Sequence, residues 1–390
     1  MIEYNYSFLS VLYPSISIFL FGFFVLTIFL KSPKLAFIVS FVKAFIFFIY
    51  FYSFFDGTFT FLDDVKYLND SLKFIYDGKT FLELVQNPLE LIYTFGHFHF
   101  LYYLYNIVTI EIFGEYYFSP IAMNVMLTFL TAVILYKLLF LLNFTKDISK
   151  TITIIYLLHW DIVAWSSIVN FKDFLVQFFT IFIIYLLIKN DIKFRLYNIL
   201  LIIFSILLLT FLRFYIPYFI LFSFLLYKFF VKYRNTKKNK FIYLNFVFIF
   251  LTFSLSIIFF QFQDELNLFL NNFTNPFIGL VRYLITPLPF HMEDGYGFLI
   301  FSSLIDFLLL PIFIYGIYSF IKIENQYKYF IIIYFMLILL FYGSFIELQG
   351  PRHRIQILPY IVIFQSIGIL YFLKKLNYRR LKYAKNNISY

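Results

Sequence analysis

The sequence predicts an all-α, polytopic transmembrane helix bundle. Three observations carry that prediction. Of 390 residues, 62% are hydrophobic and only 13% are charged, about half the charged share of ordinary soluble domains. Apolar stretches of about 20 residues, enough to cross a bilayer, recur along the chain. The basic residues gather in the short loops between those stretches, as cytoplasmic loops of membrane proteins do. The predicted organisation is a single transmembrane domain over 1–373, with about eleven spans, and a basic cytoplasmic tail over 374–390.

The first predicted span covers 8–30. No basic segment precedes it and it is too long for a signal-peptide core, so it is expected to be retained. The run KSPK (31–34) follows and sets this loop in the cytoplasm and the N-terminus outside. A second span covers 35–55. The long stretch after it reaches 117 and is the first large outer loop. Within 56–90 it holds seven acids against three lysines. Segment 97–113 would break the parity of the topology if it crossed, so it is read as re-entrant or interfacial.

Further spans are predicted near 118–142, 151–169, 174–188, 197–212, 215–230, 241–260, 298–321, 328–345 and 355–373. Basic clusters, including KYRNTKKNK (232–240), fall where alternation requires cytoplasmic loops. The run 197–230 is too long for one span. Arg213 and Pro217 in its middle mark a hairpin turn, since proline breaks a helix and a charge avoids the bilayer centre. A second outer loop is expected over 262–297.

The chain has no cysteine. Disulfides, thiol nucleophiles and cysteine-ligated metal centres are therefore excluded. Phe (63) and Tyr (35) are abundant, and AT-rich coding accounts for that. The net charge of +10 lies in loops and tail, so it reads as topology rather than as affinity for nucleic acid. Membrane lipids are the surroundings implied, and no nucleic-acid partner is expected.

With this topology, polar residues collect at the outer ends of the spans. Asp63 and Asp64 open a stretch, 64–76, whose Val65, Leu68, Leu72 and Ile75 recur at helical spacing. It reads as an amphipathic helix with Asp63, Tyr67 and Asp70 on its polar face. An Asp at a helix start is a good cap, so one aspartate can cap while the other faces a site. In NFKDF (170–174), Asn170 or Asp173 can cap the next span. Lys172 either snorkels to the interface or contacts a lipid phosphate. The run PRHR (351–354) puts Arg352 and Arg354 before the last span on the outer side. There they run against the positive-inside bias, and a bound anion would account for them. His353 between them can serve as base, ligand or headgroup contact. His97, His99 and His291 could join the aspartates around a metal.

The pattern resembles the C-type glycosyltransferase (GT-C) superfamily, in a form like glycosyltransferase family 39. The residues that carry the resemblance are Asp63, Asp64, Tyr67 and the Asp77–Gly78 pair in the first outer loop. A late Arg352, His353, Arg354 and Pro359 run, the Lys172–Asp173 pair, and Arg213 with Tyr215 and Pro217 add to it. The chain departs from the pattern in its extra first span, in His353 where a tyrosine is usual, and in carrying no large soluble C-terminal domain.

The resemblance implies an inverting sugar transferase at the outer face of the cytoplasmic membrane. Its partners would be a polyprenyl-phosphate sugar donor and a glycan or lipid acceptor of the cell envelope. Asp63 would be the general base. Asp64 would orient the acceptor or hold a divalent ion, the one cofactor considered. Arg352, Arg354, Lys172 and Arg213 would hold the donor phosphate. Tyr67, His353, Arg282, His291 and Glu293 would line the substrate or form a lid. Two other classes stay open: an O-antigen or capsule repeat polymerase, and a lipid-linked glycan flippase or transporter.

Overall fold

The structure, a computed structural model, describes residues 6–86, 99–232, 272–292 and 294–386. Among them the regular structure is helical, with only two isolated β-bridges. In chain order the α-helices are α1 (Phe8–Leu30), α2 (Pro33–Ile49), α3 (Leu62–Tyr76), α4 (Phe81–Gln86), α5 (Phe100–Phe113), α6 (Phe118–Leu141), α7 (Lys146–Leu158) and α8 (Trp160–Ile168). There follow α9 (Asp173–Ile192), α10 (Leu196–Thr210), α11 (Tyr215–Tyr227), α12 (Pro276–Ile285), α13 (Ile300–Ile321), α14 (Lys328–Ser344) and α15 (Leu358–Asn386).

Six helical segments are long and apolar enough to cross a membrane: Phe8–Leu30, Pro33–Phe54, Phe118–Leu141, Asp173–Ile192, Gly295–Ile321 and Pro351–Leu373. The pair α7 and α8, bent by 44° at their break, makes a seventh if read as one span. Among the described residues this is fewer than the eleven expected. The stretch 241–260 lies outside them. The stretches near 197–212, 215–230 and 328–345 form helices of 15, 13 and 17 residues. At 1.5 Å rise per residue each falls short of a hydrocarbon core about 30 Å thick. Segment 100–113 is a 14-residue helix packed between α3 and α6.

Packing inside the bundle depends on small residues at helix crossings, as is usual where lipid gives no hydrophobic drive between helices. A Cβ on Gly279 of α12 would sit 1.8 Å from the Gly343 carbonyl oxygen of α14. A Cβ on Gly316 of α13 would sit 1.8 Å from the Phe364 carbonyl oxygen of α15. These crossings pack α12 on α14 and α13 on α15. One apolar core runs through most of the bundle, from Val11 of α1 to Ile367 of α15.

The expected hairpin turn near Arg213 is a break at residues 211–214, between α10 and α11. Arg213 N–H there donates to the Leu209 carbonyl. The predicted amphipathic helix is α3, but its polar stripe turns inward. Tyr67, Asp70 and Ser71 are buried, and the Ser71 hydroxyl donates to the Tyr103 carbonyl of α5. Tyr67 accepts from Lys172 and Asp70 from Lys73, so these buried groups are satisfied without water.

Candidate functional site

The two adjacent aspartates have different jobs. Asp64 is fully buried, and its Oδ1 accepts from the backbone N–H of Phe61 at 2.8 Å and of Val65 at 2.6 Å. This reach back to Phe61 is half of a capping box. Asp64 Oδ2 accepts from Tyr117 hydroxyl at 2.6 Å. Burial pushes the Asp64 carboxyl up to about 7, against the pull of these three donors. With both oxygens engaged and no exposure, Asp64 is an anchor. The expectation that it orients an acceptor or holds a divalent ion is not met.

Asp63 lies on the open side of the same helix start, and its side chain is 50% exposed. Its Oδ2 accepts from Arg352 Nη1 at 2.6 Å. Burial alone would raise the Asp63 carboxyl; the guanidinium outweighs it and holds the group below its ordinary value. Asp63 is therefore an ionised, accessible carboxylate.

Arg352 extends the site inward. Its guanidinium lies over the Phe171 ring at 5.0 Å, and its Nε is 4.0 Å from Asp173 Oδ2. Asp173, in the first turn of α9, is buried. Its Oδ1 accepts from Arg213 Nη2 and from Gln356 Nε2, each at 2.8 Å. Arg213 Nη1 donates to Tyr215 hydroxyl at 2.8 Å, and Tyr342 hydroxyl donates to Gln356 Oε1 at 2.6 Å. Segments far apart in sequence thus meet on one carboxylate. Asp173 does not cap α9 as expected: it binds Arg213 and Gln356, and the cap position, taken by Lys172, makes no capping hydrogen bond from its side chain.

Lys172 does not snorkel outward; only 6% of it is exposed. Its Nζ donates to Tyr67 hydroxyl at 3.1 Å and lies 2.8 Å from His99 Nδ1 and 2.9 Å from His99 Nε2. His99 Nδ1 lies 3.2 Å from the Leu212 carbonyl. A carbonyl only accepts, so the proton is assigned to Nδ1, and Nε2 is left as the nitrogen that accepts from Lys172. Burial, and then Lys172, push the imidazole down to about 3, so it is neutral. Burial also pushes the Lys172 ammonium well below its ordinary value. His99 adopts φ 80°, an uncommon backbone for a residue with a side chain. Strain of this kind collects at ligand and catalytic sites.

The remaining predicted residues are placed differently. Tyr67 joins the cluster through Lys172. Arg354 does not: fully inside the bundle, it pairs with Asp161 and Asp306 and donates to the Leu284 carbonyl. Two residues along a 3-10 turn point well apart, which separates it from Arg352. His353 is buried, its ring tilted against Tyr342 at 5.4 Å between centroids. Arg282 is exposed beside an apolar groove lined by Phe277, Ile278 and Val281, and donates to Gln349 at 3.5 Å. His291 is exposed, and its Nδ1 lies 3.3 Å from the Phe290 carbonyl. Glu293 and His97 lie outside the described residues. The segment just after Glu293 does approach the site: Tyr296 packs on Phe61 and Phe298 on Phe59, with centroids 5.4 and 5.2 Å apart. Among the described residues no three His, Asp or Glu side chains are grouped as a metal would need.

Sequence reasoning passed over Gln356 and Tyr342, which carry no signal of their own in an aromatic-rich chain. It also passed over Asp161 and Asp306. Their signal was present, because a carboxylate inside an apolar span is rare. No family model, curated protein or solved structure matches the chain.

Proposed function

We propose that this chain is a membrane glycosyltransferase of the GT-C kind, moving a sugar from a polyprenyl-phosphate donor to a cell-envelope acceptor. The observation that carries the reading is the Asp63–Arg352 contact: a base and an anion-binding group, from opposite ends of the chain, share one accessible site. The eleven-span topology belongs to the same reading. It puts the N-terminus and this site outside, and the basic loops and tail in the cytoplasm.

In this mechanism Asp63 accepts the proton of the acceptor hydroxyl. The acceptor oxygen forms a bond to the anomeric carbon as the bond from that carbon to the phosphate oxygen breaks. The phosphate leaves with the electron pair, and configuration inverts. Arg352 and Lys172 stabilise the charge growing on it. A bound phosphate competes with Asp63 for Arg352, so donor binding frees the base. Asp173 and Arg213 neutralise each other and act as positioning residues. Arg354 has no part in this step.

The test uses membranes given a labelled polyprenyl-phosphate sugar. Asp63→Asn is expected to lose at least about 100-fold in transfer, the scale of a lost general base. Asp64→Asn is expected to keep most of it. Full transfer by Asp63→Asn would sink the mechanism. Product length separates single-sugar transfer from the joining of preassembled repeats.

A further inference from the structure

A second group of charged side chains lies inside the bundle, apart from the Asp63 site. Asp161 stands in the first turn of α8, just past the break at His159. Asp306 stands in α13. Arg354 Nη2 reaches both, 2.9 Å from Asp161 Oδ2 and 3.0 Å from Asp306 Oδ2. Both carboxyl groups thus sit on one guanidinium nitrogen, and Asp161 Oδ1 is buried with no hydrogen-bond partner among the described residues. Gln365 Nε2 donates to Asp306 Oδ1 at 3.3 Å, and His159 Nε2 lies 3.2 Å from Gln365 Oε1 and 3.7 Å from Asp306 Oδ1.

Charge counting shows that something is missing. The group holds two carboxyls and one guanidinium. His159 is best satisfied as a neutral ring that donates from Nε2 to Gln365. Its Nδ1 has no hydrogen-bond partner, and a cationic ring would leave a buried N–H there unpaired. The other groups facing the cluster are Ser302 of α13 and Tyr283 of α12, both neutral. Lys43 is held at the Leu157 carbonyl instead, 3.4 Å away. With both acids ionised the cluster would carry a net negative charge inside the bundle, which is costly. A proton on one carboxyl removes that charge and gives it a donor. A metal ion does not fit, since Arg354 already bridges the carboxylates and no three-ligand group exists among the described residues.

We infer that Asp161 and Asp306 share one exchangeable proton against Arg354, so that the bundle contains a proton-binding site. A cavity of about 20 Å³ beside Asp306, Arg354 and Gln365 has room for one water, through which that proton exchanges. Arg354 sits in the 3-10 segment Pro351–Ile357, which also carries Arg352. Loss of the proton adds a negative charge beside Arg354 and pulls on the segment that positions Arg352. The inference does not depend on the chain being a sugar transferase.

Infrared spectroscopy of the full chain in lipid nanodiscs tests it. Asp64 contributes a carboxyl signal of its own, so Asp64→Asn is the reference. In that variant at neutral pH, a protonated-carboxyl C=O band that shifts in heavy water is expected to persist. Its absence would overturn the proposal. Adding Asp306→Asn or Asp161→Asn is expected to remove the intensity of one carboxyl group. A band unchanged by both, or one erased by sodium at constant pH, would equally overturn it. The neutral amide of Asp306→Asn stands in for the protonated acid, so its thermal midpoint is expected to stay near that of the parent.

Discussion

Asp63 and Arg352 stand 289 residues apart in sequence, yet Arg352 Nη1 lies 2.6 Å from Asp63 Oδ2. The contact ties the start of α3 to the segment before α15. Both side chains are partly exposed, so the pair adds only about 0–1 kcal/mol to stability. Arg352→Ala should therefore melt, in detergent, within about 5 °C of the parent. Its apparent affinity for a polyprenyl-phosphate sugar should fall about 10-fold or more, the loss of one charge-assisted contact. Unchanged donor affinity would remove Arg352 from the phosphate site.

Asp173 should behave in the opposite way. It is buried and accepts from Arg213 and Gln356. Asp173→Asn strands the Arg213 guanidinium and should cost about 3–5 kcal/mol, read as a large drop in thermal midpoint. Pairing it with Arg213→Gln should recover part of that loss. Additive losses in the double variant would mean that the two side chains are not coupled.

Asp64 predicts a pH dependence with a definite sign. Its folded carboxyl is raised from 3.8 to about 7, so the folded state binds the proton more tightly than the unfolded chain. Its contribution to stability is present in full below about pH 4 and is lost as pH rises towards 7. Thermal midpoints taken across that window should fall for the parent and flatten for Asp64→Asn. Tyr117→Phe should cost about 1–3 kcal/mol, because it leaves Asp64 Oδ2 without its donor. A parent curve that rises over the same window would contradict the assignment.

The glycine crossings can be tested without any assay of function. Gly279→Ala forces a Cβ into the Gly343 carbonyl and should cost about 1–3 kcal/mol or more through overpacking. Gly350→Ala meets nothing within 4 Å and should be close to neutral. Equal melting of the two variants would show that α12 and α14 do not pack as closely as described.

Much of the helix plan was legible because apolar runs and basic loops have direct physical causes. The predicted 118–142 and 174–188 sit within a few residues of α6 and α9. Span number was less legible, because an apolar run does not reveal where its helix stops. The run 197–230 divides into α10 and α11, each shorter than a bilayer. Within the site, charge gave Asp63, Arg352, Lys172 and Arg213. It could not separate Arg352 from Arg354, since the direction of a side chain in a 3-10 turn depends on what packs around it. Asp161 and Asp306 were readable as acids in apolar spans. Their shared contact with Arg354 joins positions 193 residues apart for Asp161, and no local pattern encodes that.

The start of α3 makes the order of its two acids irreplaceable. Consecutive helical residues point about 100° apart. Asp64 is clamped by Phe61, Val65 and Tyr117, and this clamp sets the direction in which Asp63 leaves the helix. Deleting Leu62 would keep both carboxylates but swing them round by that angle. The pair therefore works as a fastener and a pointer, and a frame slip by a single residue would misdirect both.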